Sequence, residues 1–198
     1  MVSIRERDVH TYIFMVFIIA QIFGVMGMAL NIVSYFQKKQ RSIILFQLVA
    51  AFLWIIHYVL LGIATDTFYI ACLLNGLGLI RAVVYSNKEK FHAESNVWLL
   101  IFVILYITSY VLTFTVFKKP PVFKNFIVEF LPVIALTANT IGFKMKTSLA
   151  TRLANLVNSP CWLIYSIINS SLGGIIGEVL TFSATIIGIF KYEYKKKS

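Results

Sequence analysis

Glu178 is the sharpest chemical signal in this 198-residue sequence, because it stands in an apolar run behind Gly173, Gly174 and Gly177. A carboxylate inside a bilayer is costly unless it is paired, hydrated or protonated, so it marks a solute pathway or a proton relay. Gly174, Glu178, Thr181 and Thr185 recur at helical spacing and form one polar stripe. The alternative is that Glu178 reaches the outer interface and anchors its helix. His57 follows Trp54 by three residues, which puts both on one helix face. An imidazole titrates near neutral pH, so His57 is a candidate proton-coupling partner for Glu178; bonded to a backbone carbonyl it would stay neutral instead. Asn158, Trp162, Tyr165 and Asn169 share a face by the same spacing. A tryptophan plate from each of two segments, with amides nearby, suits a planar or sugar-like solute, since such pockets need an apolar wall and few polar directors. Packing or interfacial anchoring is the competing use of these rings. Asn75, in a further apolar run, offers its amide to a ligand or to a neighbouring helix.

Membrane helices must position these groups. Apolar residues make up 59% of the chain, far more than a water-facing surface tolerates. About 20 apolar residues cross the hydrocarbon core, and by that ruler the sequence predicts seven spans: 12–35, 43–63, 67–86, 96–117, 125–143, 150–170 and 172–190. Short connections make neighbours antiparallel. No small-residue cleavage site follows the first run, so it reads as a span and not as a signal peptide. Cys72 and Cys161 lie inside apolar runs and read as free thiols.

The net charge of +10 first suggests nucleic acid, but the basic residues cluster at the ends of apolar runs, as the positive-inside rule requires. The partners expected are therefore the lipid bilayer and a small polar solute, with no nucleic acid and with a homo-oligomer left open. With the N-terminus outside, inner segments hold thirteen of the eighteen Lys and Arg, among them Lys38, Arg41, Arg81, Lys88 and Arg152. That asymmetry predicts an outer N-terminus and a cytoplasmic C-terminus. The basic outer turn Lys118-Lys119-Pro120-Pro121 is the one violation. Arg81 and the inner lysines are expected to snorkel to headgroups. Glu129 and Asp66 fall near the outer face. No zinc spacing, phosphate loop or nucleophile elbow is present, so neither a cofactor nor an enzyme is predicted.

A shift of about 108 residues superposes two segments: Ser34 to Lys38 on Gly142 to Lys146, Gln47 on Asn155, Trp54 on Trp162 and His57 on Tyr165. The same shift gives Asn75 the mate Ser183. The fold class predicted is an all-α integral membrane protein with seven transmembrane helices. A first three-helix unit (1–95) is joined by a linker helix (96–118), facing lipid, to a second three-helix unit (119–198). Pro132 and Pro160 are candidate kinks.

Phe36-Gln37, Trp54 with His57-Tyr58, Leu61-Gly62 and Asn75, taken in that order, resemble the SWEET and PQ-loop group, to which the KDEL receptors are distantly related. The group's hinge proline is absent at Phe36 and at Lys144, so its gating role does not carry over. The resemblance implies a ligand contact at Asn75. Leu131-Pro132-Val133-Ile134, Phe143 to Lys146, Cys161 to Tyr165 and Ser171 to Glu178 resemble the YgjV-type bacterial inner-membrane proteins. That likeness implies a bacterial inner membrane and no particular substrate. The expected function is alternating-access transport of a small polar metabolite, with proton coupling resting on Glu178 and His57. The rival expectation is a non-transporting receptor built like the KDEL receptors.

Overall fold

The computed structural model describes residues 2–65, 69–168 and 172–194, so Asp66, Asn169 and the three terminal lysines lie outside the described residues. These residues form α1 (Val2–Tyr35), α2 (Gln40–Thr65), α3 (Tyr69–Ser86), the short α4 (Lys88–Phe91), α5 (Asn96–Thr115), α6 (Phe123–Lys144), α7 (Ser148–Ile168) and α8 (Leu172–Ile189), with a closing π-helical turn at Phe190–Tyr194. No strand occurs among them. The seven long helices coincide with the seven predicted runs. Five are long and apolar enough to cross a bilayer: α1 from His10, α2, α5, α6 and α8. The apolar part of α3, Cys72–Ser86, is shorter.

Helix α7 falls outside that set because its interior face is polar. Its buried residues are Thr151, Arg152, Asn155, Asn158, Ser159 and Ser166. Its exposed large residues are apolar: Leu153, Val157, Ile164, Ile167 and Ile168. A helix in water is built the other way round. The polar-inside, apolar-outside arrangement fits a helix that turns hydrocarbon outward and hydrogen-bonds inward. Pro132 and Pro160 lie within α6 and α7 without ending them.

The packing follows a two-fold plan. Within the first half α1 packs on α2 and α2 on α3; within the second, α6 packs on α7 and α7 on α8. Between halves α1 meets α8, α3 meets α6, and α2 meets α7. Each of these pairings maps onto another, or onto itself, when α1–α3 are exchanged with α6–α8. Helix α5 packs on α3 and α6. Its buried face is Phe102, Tyr106, Ser109 and Thr113, while Val97, Leu100, Ile104 and Val111 are exposed, so only part of the linker is free to face lipid.

The repeat has two registers. At 108 the starts of α2 and α7 coincide, Gln40 with Ser148, and the Trp54–His57 and Trp162–Tyr165 ring pairs match in geometry: 5.2 Å and 85° against 5.5 Å and 82°. Helices α3 and α8 end at Ser86 and Ile189, an offset of 103. The burial pattern of 78–82 then repeats at 181–185. By that offset Asn75 falls on Glu178, where the offset of 108 gives Ser183.

Antiparallel connection gathers most of the basic residues at one end, where α1, α3, α6 and α8 finish and α2, α5 and α7 start. Lys144 reaches Asn96, and Lys146 pairs with Glu94 at 2.9 Å. The basic turn at the opposite end is explained locally. Lys119 forms an ion pair with the buried Glu129, so the turn is less basic than its letters suggest.

Candidate functional site

Four side chains on α7 and α8 make a hydrogen-bond chain that runs in one direction. Asn158 Nδ2 donates to Asn155 Oδ1 at 3.1 Å, and Asn155 Nδ2 donates to Ser159 Oγ at 3.3 Å. Ser159 Oγ then donates to Glu178 Oε2 at 2.7 Å. A branch from Asn155 Nδ2 reaches Thr185 Oγ1 at 2.7 Å, and Thr185 donates in turn to the Thr181 carbonyl at 2.8 Å. Every bond on the main line delivers a donor toward the carboxylate. At the far end, Asn158 Oδ1 is buried without a partner among the described residues. Such a chain polarises itself and readies an acceptor-rich site for a proton or a polar ligand.

Local sequence explains the placement. Asn155, Asn158, Ser159 and Trp162 recur at spacings of three and four, which keeps them on one side of α7. Glu178 precedes Thr181 and Thr185 on α8 by about one and two turns. Gly177 beside it lets α1 approach: a Cβ there would stand 3.2 Å from Met28 Sδ. Glu178 is half-buried and hydrogen-bonded inward, not turned to the interface as an anchor.

Trp54 and His57 are committed to the α1–α2 contact. A Cβ at Gly27 would stand 3.1 Å from Trp54 Nε1, and one at Gly24 would stand 2.8 Å from His57 Nδ1. His57 is buried and its Nδ1 lies 2.7 Å from the Ala20 carbonyl oxygen. A carbonyl can only accept, so Nδ1 carries a proton and the ring is tied to the α1 backbone. Tyr58 stacks on Trp54 at 5.7 Å. Trp162 packs against the cluster that includes Leu74, Leu77 and Leu136, with Tyr165 edge-on to it. Asn75 is half-buried on α3. The structure thus links Asn158 to Glu178 through Asn155 and Ser159, and gives the aromatic pairs packing roles.

Sequence reasoning missed two buried arginines. Arg152 is wholly buried on α7 and does not snorkel. Its guanidinium donates to the Tyr35 carbonyl at 3.2 Å, the Gln37 carbonyl at 2.5 Å and Glu193 Oε1 at 3.0 Å, closing the end of α1. Tyr192 adds a hydrogen bond to the Phe36 carbonyl at 2.7 Å. Arg81 is buried too, donating to the Leu136 carbonyl at 3.2 Å with its guanidinium carbon 4.9 Å from the centre of the Phe143 ring. The end of α6 is held by the opposite half in turn. Gln40 Nε2 donates to the Gly142 and Met145 carbonyls at 3.0 and 2.7 Å, and Lys88 Nζ donates to the Met145 carbonyl at 2.6 Å. Each half therefore closes the other's first helix. The spacing of Arg152 three residues before Asn155 was the available signal for the first of these.

No curated protein and no solved structure matches the chain. Residues 18–196 match the profile of Imp-YgjV, described as a bacterial inner membrane protein. The match takes in the α7–α8 hydrogen-bond chain and both helix-end ties. An apolar exterior wrapped round a polar α7 is what such a membrane protein requires, and the chain belongs to the Imp-YgjV family of bacterial inner membrane proteins.

Proposed function

We propose that the protein carries a small polar solute across the inner membrane, with Glu178 as the residue that binds the solute or its coupling proton. The single observation behind this reading is the one-way hydrogen-bond chain from Asn158 through Asn155 and Ser159 to Glu178, on a helix whose buried face is entirely polar. A helix kept only for packing gains nothing from such a face, because each polar group must find a partner or cost stability. In this reading seven helices span the bilayer, three plus one plus three, with the N-terminus outside. The two-fold packing plan supports it, since inward and outward states then differ by rocking one unit against the other. Asn75 and Glu178, matched at the 103 offset, provide one polar director from each unit.

The test begins with thermal-shift screening of purified protein against sugars, nucleosides and vitamins, since a ligand raises stability with its concentration over Kd. Uptake of any hit into proteoliposomes follows. Glu178→Gln is expected to abolish accumulation driven by a pH gradient while leaving equilibrium exchange. Uptake that is unchanged in E178Q would remove the coupling role. A hit that binds yet never crosses the vesicle wall would favour the receptor reading.

A further inference from the structure

The two helix-end ties are alike in position but not in charge. At the end of α1, the Arg152 guanidinium is neutralised by Glu193 at 3.0 Å. At the end of α6, the Lys88 ammonium donates only to uncharged oxygens, Gln40 Oε1 at 2.9 Å and the Met145 carbonyl at 2.6 Å. Among the described residues no carboxylate pairs with Lys88; nearby Glu94 is paired with Lys146. Lys88 is half-buried, and burial is the main cause that draws its pKa below the ordinary lysine value. Glu94 opposes that shift without reaching the ammonium, and a half-buried cation with no carboxylate in contact is costly unless an anion accompanies it.

Beside Lys88 lies a cavity of about 320 Å³, lined by residues 40, 41, 44 and 85–90. Its charged side chains are Arg41, Lys88, Lys90 and one acid, Glu89, leaving it cationic. Ser86 and Asn87 add neutral polar groups. Two of the three ammonium protons of Lys88 are engaged, so one remains for an anion's oxygen. We propose that this cavity, between the start of α2, the end of α3 and α4, binds a phosphate-bearing anion that supplies the charge Glu193 supplies at the other tie. The cavity opens at the basic end of the bundle, so the phosphate comes either from an anionic lipid headgroup or from a soluble phosphate compound. Because Lys88 and Gln40 also hold the end of α6, occupancy tightens this end of the molecule.

The test uses full-length protein purified in mild detergent. Native mass spectrometry measures retention of phosphatidylglycerol against phosphatidylcholine, and thermal shift measures the response to inorganic phosphate against chloride at matched ionic strength. Preferential retention of phosphatidylglycerol without a phosphate-specific shift identifies a lipid headgroup. A phosphate-specific shift identifies a soluble ligand. In either case Arg41→Ala with Lys90→Ala, which leaves both ties in place, is expected to weaken binding roughly tenfold or more without lowering the ligand-free melting temperature. Equal retention of both lipids with no phosphate-specific shift overturns the proposal. So does binding that the double variant leaves unchanged.

Discussion

Arg152 shows how much one side chain is asked to do here. It lies wholly inside the protein, carries a charge at every physiological pH, and satisfies two backbone carbonyls that α1 leaves open at its end. Arg152→Met removes those donors and leaves Glu193 without its cation, so a loss of about 3–5 kcal/mol is expected. Thermal unfolding in detergent measures it. Adding Glu193→Gln to that variant removes the unpaired carboxylate and is expected to recover part of the loss; a double variant no better than the single one would show that the carbonyls, not the ion pair, dominate. This residue was not legible in the sequence as a core group. A lone arginine near a span end looks like a headgroup contact until the residues packed around it are known. Glu178 was legible because a carboxylate in an apolar run has few uses, but its partner Ser159 was not, since serine is common in membrane helices whatever its role.

Helix pairs carry the next level of specification. The α1–α2 seam is set by Gly24 and Gly27 against His57 and Trp54, an antiparallel register in which each small residue receives one ring. Gly24→Ala places a methyl 2.8 Å from His57 Nδ1 and disturbs its bond to the Ala20 carbonyl, with an expected loss of about 1–3 kcal/mol. In a His57→Ala background the same change should cost much less, and a double-mutant cycle on unfolding midpoints checks the coupling. Strict additivity would mean that the ring and the glycine do not meet. The shared face of Trp54 and His57 followed from their spacing. What that face meets did not, because the small residues opposite lie some thirty positions earlier and nothing in their letters assigns them to this seam.

For the whole molecule, the positions of the seven long helices among the described residues could be read from apolar runs. The same runs and the basic-residue asymmetry set the proposed orientation. Single cysteines at Lys39 and Lys118, in a chain whose Cys72 and Cys161 are replaced by alanine, are expected to label from opposite sides: position 118 in intact cells with the outer membrane opened, position 39 only after the inner membrane is breached. Labelling of both from one side would refute the orientation.

The inverted polarity of α7 also bears on biogenesis. A translocon tests each nascent segment against lipid, where Arg152, Asn155 and Asn158 all weigh against insertion of α7. Emerging by itself, α7 has little reason to leave the channel sideways. Two of its donors acquire their partners only once α8 has been synthesised, because Glu178 and Thr185, to which Ser159 and Asn155 donate, are encoded after it. A glycosylation-site reporter fused after Ile168 should therefore report poor integration of α7, and one fused after Tyr194 should report efficient integration. Integration of α7 would then depend on α8, making the pair a single cooperative unit.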